Sequence, residues 1–249
     1  MRYFIDLAYN GTKYHGWQNQ PNAVSVQETI ERALSVLLQN PTTIVGAGRT
    51  DAGVHALQMV AHFDAVGVFD ITSLVFKLNS YLPDDIVIYN IYEVNANAHA
   101  RFDAISRTYH YKIAQQKNPF ANGLAYEMSL ALNIDNMNKA SKLLLNHKDF
   151  QVFSKTHTDV KTYYCEISEA YWTAEDGFLI FTITADRFLR NMVRAIVGTM
   201  MNIGLGKTSL EQLHQIINSK DRSEAGFSAP ACGLYLTHIN YPEQIKLKL

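Results

Sequence analysis

The first 94 residues alternate between a two-residue and a 3.6-residue hydrophobic period, and that succession constrains the fold more than any other feature of the chain. RYFIDLAY (2–9) sets Tyr3, Ile5, Leu7 and Tyr9 against Phe4, Asp6 and Ala8, the pattern of a strand buried on at least one face. After the loop NGTKYHGWQNQPNA, Ser25 and Glu28 form a capping box that opens a helix through Val26, Ile30, Ala33, Leu34, Leu37 and Leu38, closed by Pro41. A strand near 42–47 and a second over 57–63 flank the glycine-rich stretch GAGRTDAGVHA (46–56), which is therefore a loop between strands. Asp70 caps a helix over 71–80, ended by Leu82-Pro83, and IVIYNIYEV (86–94) supplies a fourth strand. The order is β-α-β-β-α-β, the ferredoxin-like arrangement.

The rest of the chain offers a looser version of the same order. It has a strand in RTYHYKIA (107–114), a helix over 135–146, strands over 163–173 and 178–185, and a helix over 188–203. A short helix opened by Ser209 and Gln212 and a strand over 234–239 complete it. The expectation is an α+β protein of two ferredoxin-like halves with antiparallel sheets, 1–104 and 105–249. With 249 residues, 47% of them hydrophobic, the chain can bury one large core or two small ones. No apolar run approaches the roughly 18 residues of a membrane span, and Asp6 interrupts the only N-terminal candidate for an export signal. Two cysteines, Cys165 and Cys232, form neither a disulfide framework nor a zinc pattern, and the nine histidines form no ligand spacing. A reducing cytoplasm, no membrane and no metal are expected.

GAGRTDAGVHA strips eleven positions nearly to bare backbone yet keeps Arg49 and Asp51. A phosphate loop would need the Lys and Ser/Thr that do not follow Gly53, and the glycine spacing also fails the dinucleotide fingerprint. A tight hairpin explains the glycines and leaves Arg49, Thr50 and Asp51 unexplained. Asp51 can serve as nucleophile or general base, and an ionised carboxylate in a partly dry pocket calls for a cation partner. Arg49 is near in sequence; a second arginine from elsewhere is the alternative.

That second arginine is sought on RFLRNMVRAIVGTMMNI, where helical spacing puts Arg187, Arg190 and Arg194 on one face, opposite Phe188, Met192, Ile196, Met200 and Ile203. Charged helix stripes are ordinarily solvated faces. Gly198 falls on the arginine side, where a backbone or ligand can come close. Net charge is −1, so a polyanion partner must use local clusters: these arginines, or Arg101, Arg107 and Lys112. In SRTYHYKI, Tyr109 and Tyr111 share a strand face; a core tyrosine is the ordinary reading, and stacking on an unpaired base is the functional one.

GAGRTDAGVHA, HARFDAISRTYHYKI, FLRNMVRAIVG and APACGLYLTHINYP, with NGTKYHGWQNQ before them, resemble in order and spacing the motifs of the TruA-type tRNA pseudouridine synthase family. The resemblance implies that family's fold, with two halves meeting at a central cleft. It implies isomerisation of uridine to pseudouridine at positions 38 to 40 of the tRNA anticodon stem-loop, without cofactor or metal, by a homodimer. Carried over by position, Asp51 is the catalytic carboxylate, Tyr109 stacks on the target base and Arg194 holds Asp51. Arg49 helps displace the flipped nucleotide, while Arg101, Phe102 and the loop 154–162 contact tRNA, and Arg107, Arg187 and Arg190 join the basic surface. Attack on C1′ and removal of the 2′ proton both remain open for Asp51. The rival readings are a non-catalytic RNA-binding module, which has no need of Asp51, and a phosphate- or nucleotide-binding enzyme.

Overall fold

The computed structural model describes residues 1–67, 69–156 and 160–245. The chain divides into two compact units, Met1–Ile105 with the chain from Tyr235 onward, and Ser106–Leu234. The first unit runs β1 (Arg2–Tyr9), α1 (Val26–Leu37), β2 (Val45–Gly46), β3 (His55–Asp64), α2 (Ile71–Tyr81) and β4 (Ile86–Val94). The second runs β5 (Ser106–Ala114), β6 (Tyr126–Glu127), α3 (Ile134–Leu144), β7 (Ile167–Glu175), β8 (Phe178–Ala185), α4 (Met192–Gly204) and α5 (Leu210–Ser219). The final strand is β9 (Leu234–Asn240).

In the first unit β1 lies between β3 and β4, antiparallel to both, and β2 pairs antiparallel with β3. Central placement explains why β1 is buried on both faces: Phe4, Ile5 and Leu7 are all fully enclosed. The Ser25 hydroxyl caps α1 by accepting the Glu28 amide at 3.1 Å, and α1 buries Val26, Thr29, Ile30, Ala33 and Leu34. Asp70 caps α2 in the same way, through the Ser73 amide. The predicted strand near 42–47 shrinks to two paired residues, because the chain leaves β3 at once for the glycine-rich loop.

That early departure exposes the edge of β3 at its N-terminal end, and β9 fills it. His55 and Ala56 pair in parallel with Tyr235 and Leu236, the His55 and Tyr235 rings stack at 4.6 Å, and Gln58 accepts the Ile239 amide at 2.9 Å. The last strand, expected with the second half, thus completes the first unit. Its pairing also corrects the expectation of purely antiparallel sheets: β3/β9 and, in the second unit, β5/β6 are parallel, and the sheet is open and mixed.

In the second unit β8 lies between β5 and β7, antiparallel to both, and α3 packs against β7 and α4. The strand expected over 163–173 begins four residues later, at Ile167. The helix expected over 188–203 begins at Met192, because Asn191 adopts a left-handed conformation (φ 67°) that no α-helix can run through. A full capping box at Ser209 and Gln212 opens α5.

Candidate active site

Asp51 sits half-buried on the loop joining β2 to β3, and a second loop, residues 11–17, clasps it by backbone contact. The Trp17 amide donates to the Thr50 carbonyl at 3.3 Å, and the Gly53 amide to the Tyr14 carbonyl at 3.2 Å. The Gly11 amide donates to His55 Nδ1 at 3.1 Å, so the proton of neutral His55 is on Nε2. The approach leaves no room for side chains: a Cβ on Gly11 would stand 1.9 Å from the Val54 carbonyl oxygen, and one on Gly16 2.3 Å from that of Thr50. Gly16 also has φ +92°, which only glycine adopts readily. Gly46 is bare because the Trp17 indole lies where its Cβ would be, 2.5 Å away. Beneath Asp51, the buried Thr50 and Tyr9 hydroxyls are 2.8 Å apart. Gly48 differs from the others: a Cβ there would meet nothing within 4 Å, so open space lies beside Arg49, which is exposed.

The clasp is itself anchored to α1. Gln27 receives the Asn19 amide and donates to the Ile44 carbonyl, while Glu31 accepts from Asn19, from Gln27 and from the Ile44 amide at 2.9 Å. One helix therefore holds both the clasping loop and the strand leading to Asp51.

Arg101 and Phe102 lie on the turn after Ala98, also in the first unit. His99 shapes this turn: its Nδ1 accepts the Arg101 and Phe102 amides at 3.1 and 3.3 Å, and its own amide donates to Asp103 at 2.7 Å. Phe102, 74% exposed, packs its ring on His99 and lies under the Arg101 guanidinium. Behind them His62 is buried, accepts the Ala100 amide at 3.2 Å and meets His99 edge-on. Burial first, then the charge of a protonated His99 and of Arg2, hold His62 down to about 4.

In the second unit Tyr109 is half-buried on β5, its ring edge-on to Phe188 at 5.1 Å and 88°. Tyr111, on the same face, is wholly buried and donates to the Pro230 carbonyl at 2.9 Å. Burial pushes the Tyr111 phenol far up, and Cys232 adds to this while Arg194 works against it. Burial likewise raises the Cys232 thiol, and again Arg194 pulls it back. Arg194 therefore lies in the electrostatic neighbourhood of Tyr111, two positions along the strand from Tyr109.

The arginines do not form the predicted stripe. Arg187 and Arg190 precede α4, since Asn191 breaks the helix, and only Arg194 is helical. Arg187 reaches the Thr162 carbonyl at 3.4 Å, and exposed Arg190 accepts the Lys155 amide on its carbonyl. Arg107 donates to the Asp186 carbonyl at 2.7 Å. Of the second basic group, Arg101 belongs to the first unit and Arg107 and Lys112 to the second, where, five positions apart on β5, they face opposite sides of the strand. Of the loop 154–162, residues 157–159 lie outside the described part of the chain.

Among residues that sequence reasoning passed over, Arg222, Ser228 and Asn191 matter most. They are bonded to one another through Ser228, in the segment that leads to Ala229, whose amide donates to the Arg194 carbonyl at 3.0 Å and whose carbonyl accepts Arg194 Nε at 2.6 Å. Gly198 was a visible signal: the backbone expected at its bare face is that of Phe227. Among the described residues no helix is long and apolar enough to cross a membrane, and no three His, Cys, Asp or Glu side chains are grouped to hold a metal ion.

Comparison with known sequences puts the chain in an RNA-modifying class. The sequence model of the tRNA pseudouridine synthase family matches residues 7–103 and 140–242, and the chain belongs to that family. The chain is 55% identical over 250 residues to a tRNA pseudouridine synthase A of Porphyromonas gingivalis, covering 99% of both chains. It is 52% identical over 247 residues to one from Bacteroides thetaiotaomicron (98% of this chain, 92% of that one). With one from Acetivibrio thermocellus it shares 41% identity over 237 residues (94% and 97%). The matched segments contain Asp51, Arg49, Arg101, Phe102, Arg187, Arg190 and Arg194; Tyr109 and Arg107 fall between them.

Proposed function

We propose that the protein isomerises uridine to pseudouridine in tRNA, at positions 38, 39 and 40 of the anticodon stem-loop, with Asp51 acting on the ribose of a flipped-out nucleotide. The observation that carries the reading is the clasped loop: backbone contacts hold Asp51 half-exposed, and open space lies at Gly48. The N1–C1′ bond breaks, the uracil turns, C5 bonds to C1′, the C5 proton leaves to water and N1 gains one. No electrons are exchanged. The base has to leave its stack because C1′ and C5 are out of reach within a paired stem.

Tyr109, edge-packed on Phe188, is the platform on which the extruded base stacks, and Arg194 is the cation that partners Asp51. Arg49 occupies or opens the place of the flipped nucleotide. Arg101, Phe102, Arg107, Arg187 and Arg190 hold tRNA phosphates and bases, as does the loop 154–162. Each unit is ferredoxin-like, a reading supported in the first by the strand order β4-β1-β3-β2. The protein works in the cytoplasm as a homodimer; sedimentation at tRNA-binding concentrations reads this directly, and a monomer mass would remove it.

The decisive experiment uses tRNA tritiated at uracil C5. One tritium should reach water for each pseudouridine formed, and mapping of the product should place them at 38, 39 and 40. RNA that binds and releases no tritium would make the protein an RNA-binding module instead.

A further inference from the structure

Residues 226–229, Gly-Phe-Ser-Ala, form a strap along α4, and the two backbones touch. A Cβ on Gly198 would stand 1.8 Å from the Phe227 carbonyl oxygen, and one on Gly226 2.6 Å from the Gly198 carbonyl carbon. The Gly226 amide donates to Thr199 Oγ1 at 2.9 Å, and Ala229 exchanges two hydrogen bonds with Arg194. Because a guanidinium is planar, a fixed acceptor on Nε sets the plane of the whole group and the directions in which its two terminal nitrogens point. The orientation of Arg194 therefore depends on where the Ala229 carbonyl is held.

The strap is irregular backbone, and side chains hold it. Arg222 forks across it, one terminal nitrogen on the Gly226 carbonyl and the other on Ser228 Oγ, both at 3.0 Å. Asn191 donates its amide to the same Ser228 oxygen at 2.8 Å, and its left-handed backbone starts the helix that carries Arg194 three residues later. Arg222 is also partly desolvated, which lowers it from the ordinary guanidinium value. The fork fixes a carbonyl and a hydroxyl of the strap at once, so besides any stability it adds, it sets the geometry of the strap.

We propose that Arg222, through Ser228 and with Asn191, is a positioning residue for Arg194: it fixes the strap whose Ala229 carbonyl sets the Arg194 guanidinium plane. Its consequence for turnover rests on the synthase reading above; its consequence for Arg194 does not.

Two measurements separate these. In nitrogen-15 spectra the Arg194 Nε–H, identified by its disappearance in Arg194→Lys, should exchange slowly in the native protein and at least about tenfold faster in Arg222→Ala, because its acceptor is no longer held. In the tritium assay Arg222→Ala should lower kcat roughly 10- to 100-fold with KM within about twofold, the size expected of a misplaced catalytic group. Arg222→Lys reaches one acceptor and not both, and should fall between. In an Arg194→Lys background, Arg222→Ala should cost nothing further. An unchanged Nε–H exchange rate, or fully additive losses in that background, would overturn the proposal. Asn191→Gly keeps the left-handed backbone and removes the amide, so it carries the same test if Arg222→Ala does not fold. A native protein that releases no tritium would instead overturn the synthase reading, and the Nε–H arm would still decide the role of Arg222.

Discussion

The Asp51 loop and the Arg194 strap solve one problem, using irregular backbone to hold a charged side chain in a fixed direction, by different means. Around Asp51 main chain grips main chain, through Gly11 and Gly16 and the amides of Trp17 and Gly53. Around Arg194 the backbones also touch, at Gly198 and Gly226, but side chains of Arg222, Asn191 and Thr199 add the grip. A backbone clasp tolerates no added atom and is indifferent to the charge it carries. A side-chain clasp tolerates small shifts and fails when one polar group is removed.

The strongest test of this contrast is Asp51→Asn. Turnover should fall by at least about 10³-fold, as for loss of a nucleophile or base, while tRNA binding and the unfolding midpoint stay as in the native protein. A marked drop in midpoint would mean that the carboxylate belongs to the clasp. Next in size is Gly16→Ala, which forces a Cβ into the Thr50 carbonyl and strains a positive φ; chemical denaturation should register a loss of about 3 kcal/mol. Gly198→Ala meets a carbonyl oxygen closer still, 1.8 Å against 2.3 Å, but it strains no positive φ, the helix gains up to about 1 kcal/mol from alanine and the strap can yield, so its loss should be smaller. If the two losses are equal, the difference between the clasps is not real. Gly48→Ala, with nothing within 4 Å, should stay within about 0.5 kcal/mol.

Acid gives a further comparison. His62 is held at about 4, below its ordinary value of 6.5, so the folded state keeps it neutral while the unfolded chain protonates first. Its contribution is complete above pH 6.5 and is lost as pH falls towards 4, by at most about 3 kcal/mol. In the second unit His147, at the surface, is lowered by partial burial and then by His214 beside it, without the large shift of His62, and acid should cost less there. Denaturation series over that range should show a slope that His62→Gln flattens; an unaltered slope would assign the acid sensitivity elsewhere.

These differences also explain what could be read in advance. Strands and helices with clear periods, β1, α1, α2, β4 and β8, lie within a few residues of their expected places, because burial of one face is written locally. The Asp51 loop was legible for the same reason, since close approach of main chain is recorded as glycine. The helix at 188–203 was placed four residues early because Phe188 and Leu189 continue the apolar period without being helical: Phe188 packs on Tyr109 and Leu189 is buried in the turn. A single left-handed Asn191 then removed Arg187 and Arg190 from the face they seemed to share with Arg194. The partner of β9 was not legible either, because pairing across some 180 residues leaves no local trace. Nor did any period announce Arg222 or Ser228, whose roles exist only through partners distant in sequence.

The grip of residues 11–17 on residues 46–55 has a practical corollary for protein engineers. The eleven-residue stretch around Asp51 is not a portable cassette: moved to another scaffold alone, it would leave behind the carbonyls and amides that give it shape. The smallest transplantable piece is the continuous run 11–55, both loops with α1 between them. A one-residue deletion in either loop is then an edit to both.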